Sequence, residues 1–523
     1  MRAPDPEAEG ESSAAPEPGT AALPPVFLLV VMQAAVAAAS LVVEIVAGRM
    51  LAPYLGMSLY TWTAVIAVVL AGFSAGHWAG GRLAERPAPR ALTLTGWSMV
   101  GAALTTAGAV FVLRWGAAAI LPLLSDPLAA IAALTALVFF LPSFFAGIPA
   151  PVLAKVAVAA QPDHAGRALG AIFAAGALGA IAGTLLAGFL FISWLGSVGT
   201  LATVTAVYVL LAVTAFAAAR QARRLLPALA ALAGLLLPLG LAGLSLAQPD
   251  PCTRESDYFC IRVLDVAEEA GEPAHLMVLD HLGHGISVKG SPQRMLTPHA
   301  SMLDSLARAR MTEHPFTAFF IGGGSYSIPR AWHARGLDAA VTVAEIDPAV
   351  TATAVSDFWF DPASARIVHD DARRVLRSDP STYDVVVGDA FTDIAVPAHL
   401  VTQEFFDLVR ARLNPDGVYL MNVIDFADRL DALAAVLRTL RTAFPVVEVW
   451  AEIATPEPDA RLVFIVLAGE TPSAFSRLTS DAPDLLTSGR LSARGIDDLI
   501  ARRRPPLLTD DYAPIDRLLG RFD

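Results

Sequence analysis

The chain is predicted to be a multi-pass α-helical membrane bundle of about seven spans, followed by a soluble α/β domain that opens with a small β-rich subdomain. Two observations predict the bundle. Apolar runs recur, each near the ~20 residues a bilayer requires, and charge is almost absent from them. A third predicts the α/β domain: after Ala247 charge returns, and short β-branched runs alternate with helical stretches.

The 523 residues are too many for one ordinary domain. Hydrophobic residues make up 55% and charged residues only 16%, with a mean hydropathy of +0.55, well above a soluble average. Several runs exceed the ~18 apolar residues that mark a spanning helix, which argues against a soluble Ala-rich helical protein. The net charge of -12 argues against a nucleic-acid partner. The cysteines, Cys252 and Cys260, cannot build a metal cluster by themselves, so no metal is expected.

Residues 1–25 are rich in Pro, Glu and Ala and poor in large apolar groups, so they read as a disordered tail. This acidic stretch stands where a signal peptide would have a basic region, so none is expected. Spans are predicted at about 26–48, 59–81, 91–113, 128–150, 168–193, 198–219 and 225–247. Between Arg114 and Asp126 the pattern fits a loop or a short interfacial helix. With seven spans, one side carries Arg2, Arg82, Arg86, Arg90, Lys155, Arg167 and the Arg220–Arg224 cluster, against Arg49 and Arg114 on the other. The positive-inside rule makes the first side cytoplasmic, with the amino terminus inside and the soluble domain outside. A Cys252–Cys260 disulfide would agree with an oxidising outside compartment, but the spacing equally allows two unpaired thiols.

Within the bundle, Gly166, Gly170, Gly176, Gly179, Gly183 and Gly188 punctuate the fifth span, as expected where helix backbones pack closely in lipid. Glu44 is an intramembrane carboxylate and so a candidate for function. Arg49, five residues on, is its natural ion-pair partner.

The soluble part divides into a β-rich subdomain at 250–295 and an α/β domain at 296–523. A helix is predicted over 296–311, and the alternation that follows implies a mostly parallel sheet covered on both faces. In such sheets ligands sit beyond the carboxyl ends of the strands, where strand order reverses. Four features fall on those ends. Gly322-Gly323-Gly324-Ser325 follows the run FTAFFI, where glycines let the backbone approach a ligand. Glu345 ends VTVAE, about 20 residues on, at the spacing from which an acid accepts hydrogen bonds from ribose hydroxyls. Asp347, two further, suits a helix cap. Asp370-Asp371 follows ARIVH: one carboxylate is placed for an adenine amino group, the other for a helix cap. Asp389 ends YDVVVGD, from which a carboxylate can bind a cationic amine and take its proton.

These signals, in this order, resemble the spermidine synthase (polyamine aminopropyltransferase) family, within the wider class I methyltransferase-like fold. FFIGGGSYSIPR is similar to that family's glycine motif, VTVAEIDPAV to its ribose motif, VHDDARRVL to its adenine motif, with Asp371 at the matching carboxylate, and YDVVVGDAFTD to the strand bearing its catalytic aspartate. PAHLVTQEFFDLVRARLNPDGVYLMNV continues the likeness, which covers roughly 255–470. The stretch from Glu44 to Arg86 and the terminal LLTDDYAPIDRLL resemble membrane-fused relatives whose spans look like half of a major facilitator transporter. Departures cluster at the amine end. Ser325 stands where relatives have Asp, and Ala390-Phe391-Thr392-Asp393 replaces a Ser/Thr-rich motif. Leu279-Asp280-His281-Leu282-Gly283-His284 alters a Leu-Asp-Gly motif, and Gln293-Arg294-Met295 replaces acidic and tyrosine positions.

The resemblance implies aminopropyl transfer from decarboxylated S-adenosylmethionine to an amine acceptor such as putrescine, without a metal. Asp389 would be the base. Gly322, Gly323, Gly324, Ser325, Glu345, Asp370 and Asp371 would hold the donor. The alternatives are an S-adenosylmethionine-dependent methyltransferase, or a non-catalytic transporter or sensor that binds a nucleoside or polyamine. The expected partners are the lipid bilayer and a small amine. A half-transporter bundle would also need a second copy, as a homodimer, to form a central pathway.

Overall fold

The computed structural model describes residues 23–124, 126–219, 225–311, 315–392, 395–454, 457 and 459–519, apart from the side chains of 225–228. The tail expected at 1–25 therefore lies almost wholly outside the described residues. So do Arg2, Arg220, Arg223, Arg224 and Asp393.

Among the described residues, eight α-helices form the first half: α1 Val26–Leu55, α2 Leu59–Ala84, α3 Ala88–Ile120, α4 Pro127–Gly147, α5 Pro149–Ala160, α6 Ala165–Leu186, α7 Ile192–Ala218 and α8 Leu225–Leu246. Six helical runs among the described residues are long and apolar enough to cross a membrane, where about seven spans are expected from sequence. The difference lies in one continuous run of 57 residues, Pro162–Ala218, in which a π-turn at Ala187–Phe191 joins α6 to α7. The backbone leaves helical geometry inside it at Gly196, where φ is 67°. The expected boundary between the fifth and sixth spans (193 to 198) falls on that break. Several helices outrun the predicted spans: α1 continues to Leu55, and α3 continues through Arg114 to Ile120, where a loop or interfacial helix is predicted.

Helix α1 packs along α6 and α7, and α3 packs along α7. The α1–α6 contact depends on small residues. A Cβ at Gly179 would stand 2.1 Å from the Ala34 carbonyl oxygen, and one at Gly183 would stand 2.3 Å from that of Ala38. Gly166, Gly170 and Gly188 face open space, so the packing role expected of all six glycines holds for only part of the row. Glu44 and Arg49 do not pair: Arg49 reaches out of the bundle to the carbonyl oxygens of Ser256 and Tyr258 and lies near Glu255. The reason is directional. Arg49 lies on the last turns of α1, where its long side chain reaches the polar chain beyond.

The subdomain is a four-stranded antiparallel sheet in the order β1 Arg254–Glu255, β2 Cys260–Asp265, β3 Ala274–Leu279 and β4 Leu282–Val288. Cys252 and Cys260 form a disulfide at its start, with Cα atoms 5.2 Å apart. A helix at Pro298–Arg310 leads into the main domain.

The main sheet has nine strands: β5 Phe316–Ile321, β6 Ala339–Ala344, β7 Arg366–Val368, β8 Tyr383–Gly388, β9 Leu413–Phe426, β10 Val446–Glu452, β11 Arg461–Gly469, β12 Arg477–Thr479 and β13 Thr487–Arg490. Their order is β12-β13-β10-β11-β9-β8-β5-β6-β7. The five strands β5 to β9 pair in parallel, whereas β10 to β13 add on antiparallel. The expectation of a mostly parallel sheet therefore holds for one half only. Only Ile453–Ala460 separates β10 from β11, too short for the dozen or more residues of a parallel crossover. Apolar clusters cover both faces of the sheet. Chain order reverses at β5, which has β6 on one side and β8 on the other.

Candidate functional site

The turn after β5 and the turn after β8 meet at that reversal, where a ligand crevice is expected. The Asp389 amide donates to the Ile321 carbonyl at 3.0 Å. Gly322 has φ 91°, and a Cβ on it would come 2.6 Å from the Asp389 carbonyl oxygen, so only glycine allows the two turns to touch. Gly323 is held for another reason: the Tyr326 ring lies where its Cβ would be, 2.4 Å away. Tyr326 is itself fixed by stacking on Phe360 and by a 2.7 Å hydrogen bond with Thr351.

A cavity of about 170 Å³ opens over these turns. Its walls include Gly322, Gly324, Glu345, Asp370, Asp371 and Asp389. Six of the eight residues predicted from sequence therefore meet in one space. Ser325 is buried behind the glycine turn, and Gly323 lies between lining neighbours.

Glu345 is buried, and its carboxylate accepts backbone N–H groups from Gly323 at 2.8 Å and Asp347 at 2.9 Å. Burial raises its pKa above the ordinary glutamate value, and those amides oppose the rise. Asp347 caps the helix Pro348–Asp357 through the Ala349 amide, as predicted.

The two roles imagined for the Asp370-Asp371 pair converge on one residue. Asp371 is the helix cap, with Oδ1 accepting the Arg374 amide, and it also carries the carboxylate the resemblance assigns to adenine. Its Oδ2 meets His399 Nε2 at 2.7 Å. Asp370 instead accepts the Asp371 amide and lies 3.4 Å from Arg374. The terminal LLTDDYAPIDRLL motif supports this corner: Asp510 binds Arg373 through both carboxylate oxygens and accepts from Thr402.

Asp389 has a support that sequence reasoning missed. Asn422 Nδ2 donates to Asp389 Oδ1 at 2.8 Å. The signal was an asparagine inside the apolar run VYLMNVI, where an unpaired amide is costly. His299 Nε2 lies 3.9 Å from Asp389 Oδ2, and His284 lines the cavity. Burial pushes His284 down to about 4, opposed by Asp389 and aided by His299 and His281, so it is a neutral imidazole at neutral pH. No group of three or more His, Cys, Asp or Glu suited to a metal occurs among the described residues.

Against known proteins, residues 339–476 match the model of the spermine/spermidine synthase domain. The chain is 35% identical over 144 residues to an N-terminal histidine N-methyltransferase of Emericella nidulans, covering 27% of this chain and 25% of that protein. It is 30% identical over 124 residues to a probable polyamine aminopropyl transferase of Bifidobacterium longum, covering 24% and 28%. It is 29% identical over 152 residues to a polyamine aminopropyltransferase of Vibrio vulnificus, covering 28% and 50%. The chain thus spans a quarter to a half of the length of these relatives. Its C-terminal region carries a spermine/spermidine synthase domain, joined to an N-terminal bundle that fits a membrane fusion.

Proposed function

We propose that this chain is a membrane-bound aminopropyltransferase, which moves an aminopropyl group from decarboxylated S-adenosylmethionine to an amine acceptor such as putrescine. One observation carries the reading: Asp389, oriented by Asn422, shares a cavity and a backbone contact with a glycine turn whose next amide binds Glu345. This arrangement supports reading Asp389 as a base beside a nucleoside cradle. Glu345 accepts from the ribose hydroxyls and Asp371 from the adenine amino group. Asp389 binds the acceptor ammonium and takes its proton. The freed nitrogen lone pair attacks the aminopropyl carbon next to the sulfonium. The carbon–sulfur bond breaks, its electrons neutralise the sulfur, and methylthioadenosine leaves. Positioning supplies most of the acceleration in such a displacement.

In this reading the bundle crosses a cell membrane seven times, the 162–218 run crossing twice around Gly196. The amino terminus faces the cytoplasm and the domain faces outside. Three features support it. Basic loops favour that orientation. The Cys252–Cys260 disulfide suits an oxidising compartment. Arg49, Arg114 and Ser197 all bond to the segment 249–258, as a seven-span path requires of loops on one side.

The test is turnover by the full chain in detergent or nanodiscs, with decarboxylated S-adenosylmethionine and a panel of amines, reading methylthioadenosine release. Release that needs both the amine and Asp389 is expected. Turnover of ordinary S-adenosylmethionine instead, with methyl transfer, would overturn the proposal. A phosphatase fused after Ala247 should be active if the domain lies outside.

A further inference from the structure

The turn between β1 and β2 joins the bundle to the candidate nucleoside site. Arg49 of α1 donates to the Tyr258 carbonyl at 2.5 Å and to the Ser256 carbonyl at 2.6 Å, and its Nε lies 3.9 Å from Glu255. Glu255 in turn accepts the Ser197 amide at 2.8 Å and the Ser197 hydroxyl at 2.5 Å, and Ser193 donates to Asp257. From its other side the same turn reaches into the site. Ser256 Oγ donates to Asp347 Oδ2 at 2.5 Å, and the Asp347 amide is one of the donors that fix Glu345. Tyr258 and Phe259 form part of the cavity wall beside Glu345 and Ile346.

We infer that Arg49, a residue of the first membrane helix, is a positioning residue for the nucleoside site, acting through the 255–259 turn on Asp347 and Glu345. This rests on reading the cavity as a nucleoside site. The Arg49 side chain is only 10% exposed, which limits the water that would otherwise weaken its bonds. Charge-assisted bonds to two carbonyls of one short turn set the turn's orientation as well as its location. Removing them leaves Ser256 and the wall residues free to move relative to Asp347. The bundle is therefore part of the binding site without touching the ligand, and nucleoside affinity depends on a residue more than 200 positions upstream of the cavity's glycines.

The experiment is titration of the full chain in nanodiscs with methylthioadenosine, by calorimetry. Arg49→Ala is expected to weaken binding about tenfold, and Arg49→Lys, which keeps one charged donor, about threefold. Ser256→Ala breaks the same path at its far end without touching the membrane. It should weaken binding comparably, and the double variant should lose little more than either single one. Arg114→Ala removes a contact to Pro249 on the same bundle face, but not to this turn, and should bind as wild type. Unchanged affinity in both Arg49→Ala and Ser256→Ala, or an equal loss in Arg114→Ala, overturns the inference. Additive losses overturn it too. If Arg49→Ala does not fold, Ser256→Ala alone decides it. Failure of the wild type to bind is the distinct outcome that removes the nucleoside reading, and the inference with it.

Discussion

Asn422 binds Asp389 through its Nδ2 while its own Oδ1 lies buried without a partner. An orphaned buried acceptor costs about 1–3 kcal/mol, so this side chain is a poor choice for stability alone. It is explained by what it does to Asp389, whose carboxylate it turns toward the cavity.

Asn422→Leu should therefore separate activity from stability. Methylthioadenosine release should fall about tenfold or more, as expected for misaligning a general base. The melting temperature should stay level or rise. A variant with wild-type turnover would show that Asp389 needs no orienting partner.

The proposed role of Glu345 predicts that nucleoside binding depends on pH. Ribose hydroxyls would donate to the carboxylate form, and burial raises its pKa above the ordinary 4.5. Affinity should hold near neutral pH and fall on acidification, earlier than for an exposed glutamate. The apo fold responds in the opposite sense. The folded pKa exceeds the unfolded one, so the ionised side chain costs stability at high pH, and that cost disappears as pH falls through the folded value. Glu345→Gln should bind about tenfold more weakly, with a flat profile from this group. A variant that kept the wild-type acid limb would assign that limb to another residue.

In the bundle, Gly179→Val should prevent α1 and α6 from closing, because the new side chain would overlap the Ala34 carbonyl. A loss of about 3 kcal/mol or more is expected, read as lost monodispersity on size exclusion. Gly170→Ala meets open space and should be neutral, or stabilising by up to about 1 kcal/mol. Equal behaviour of the two would remove the close-contact account of this helix pair.

The disulfide closes a loop with a sequence separation of 8. Replacing both cysteines by serine should cost about 2 kcal/mol, and reductant should lower the melting temperature of the wild type but not of the variant. A wild type indifferent to reductant would mean that the two thiols are unpaired in the purified protein.

Much of the site was legible because its parts sit at strand ends, where residue type and spacing carry the chemistry. Gly322, Glu345, Asp371 and Asp389 needed only the alternation of strands and helices to fall together. His299 and His399 were not legible, because each reaches its partner from a distant segment and no local pattern marks it; Asn422 left a mark, an amide inside an apolar run, but nothing local names Asp389 as its partner. The helix break at Gly196 was bracketed by hydropathy. Its seating by Glu255, 58 residues from Ser197, was not visible. The antiparallel half of the sheet was readable in principle from the short stretch between β10 and β11. The tiny strands β12 and β13 carry too little apolar pattern to announce themselves.

The pairing of Glu255 with Ser197 also bears on how the protein is made. The amide of Ser197 opens a new helix inside the bundle, and the group that satisfies it arrives only after the rest of that helix, all of α8 and the linker have been synthesised. Until residue 255 emerges, the turn at Gly196 lacks its closing partner. Final settling of the bundle therefore waits on the first strand of the domain, and ribosomal products that stop short of that strand are bundles left open at this joint.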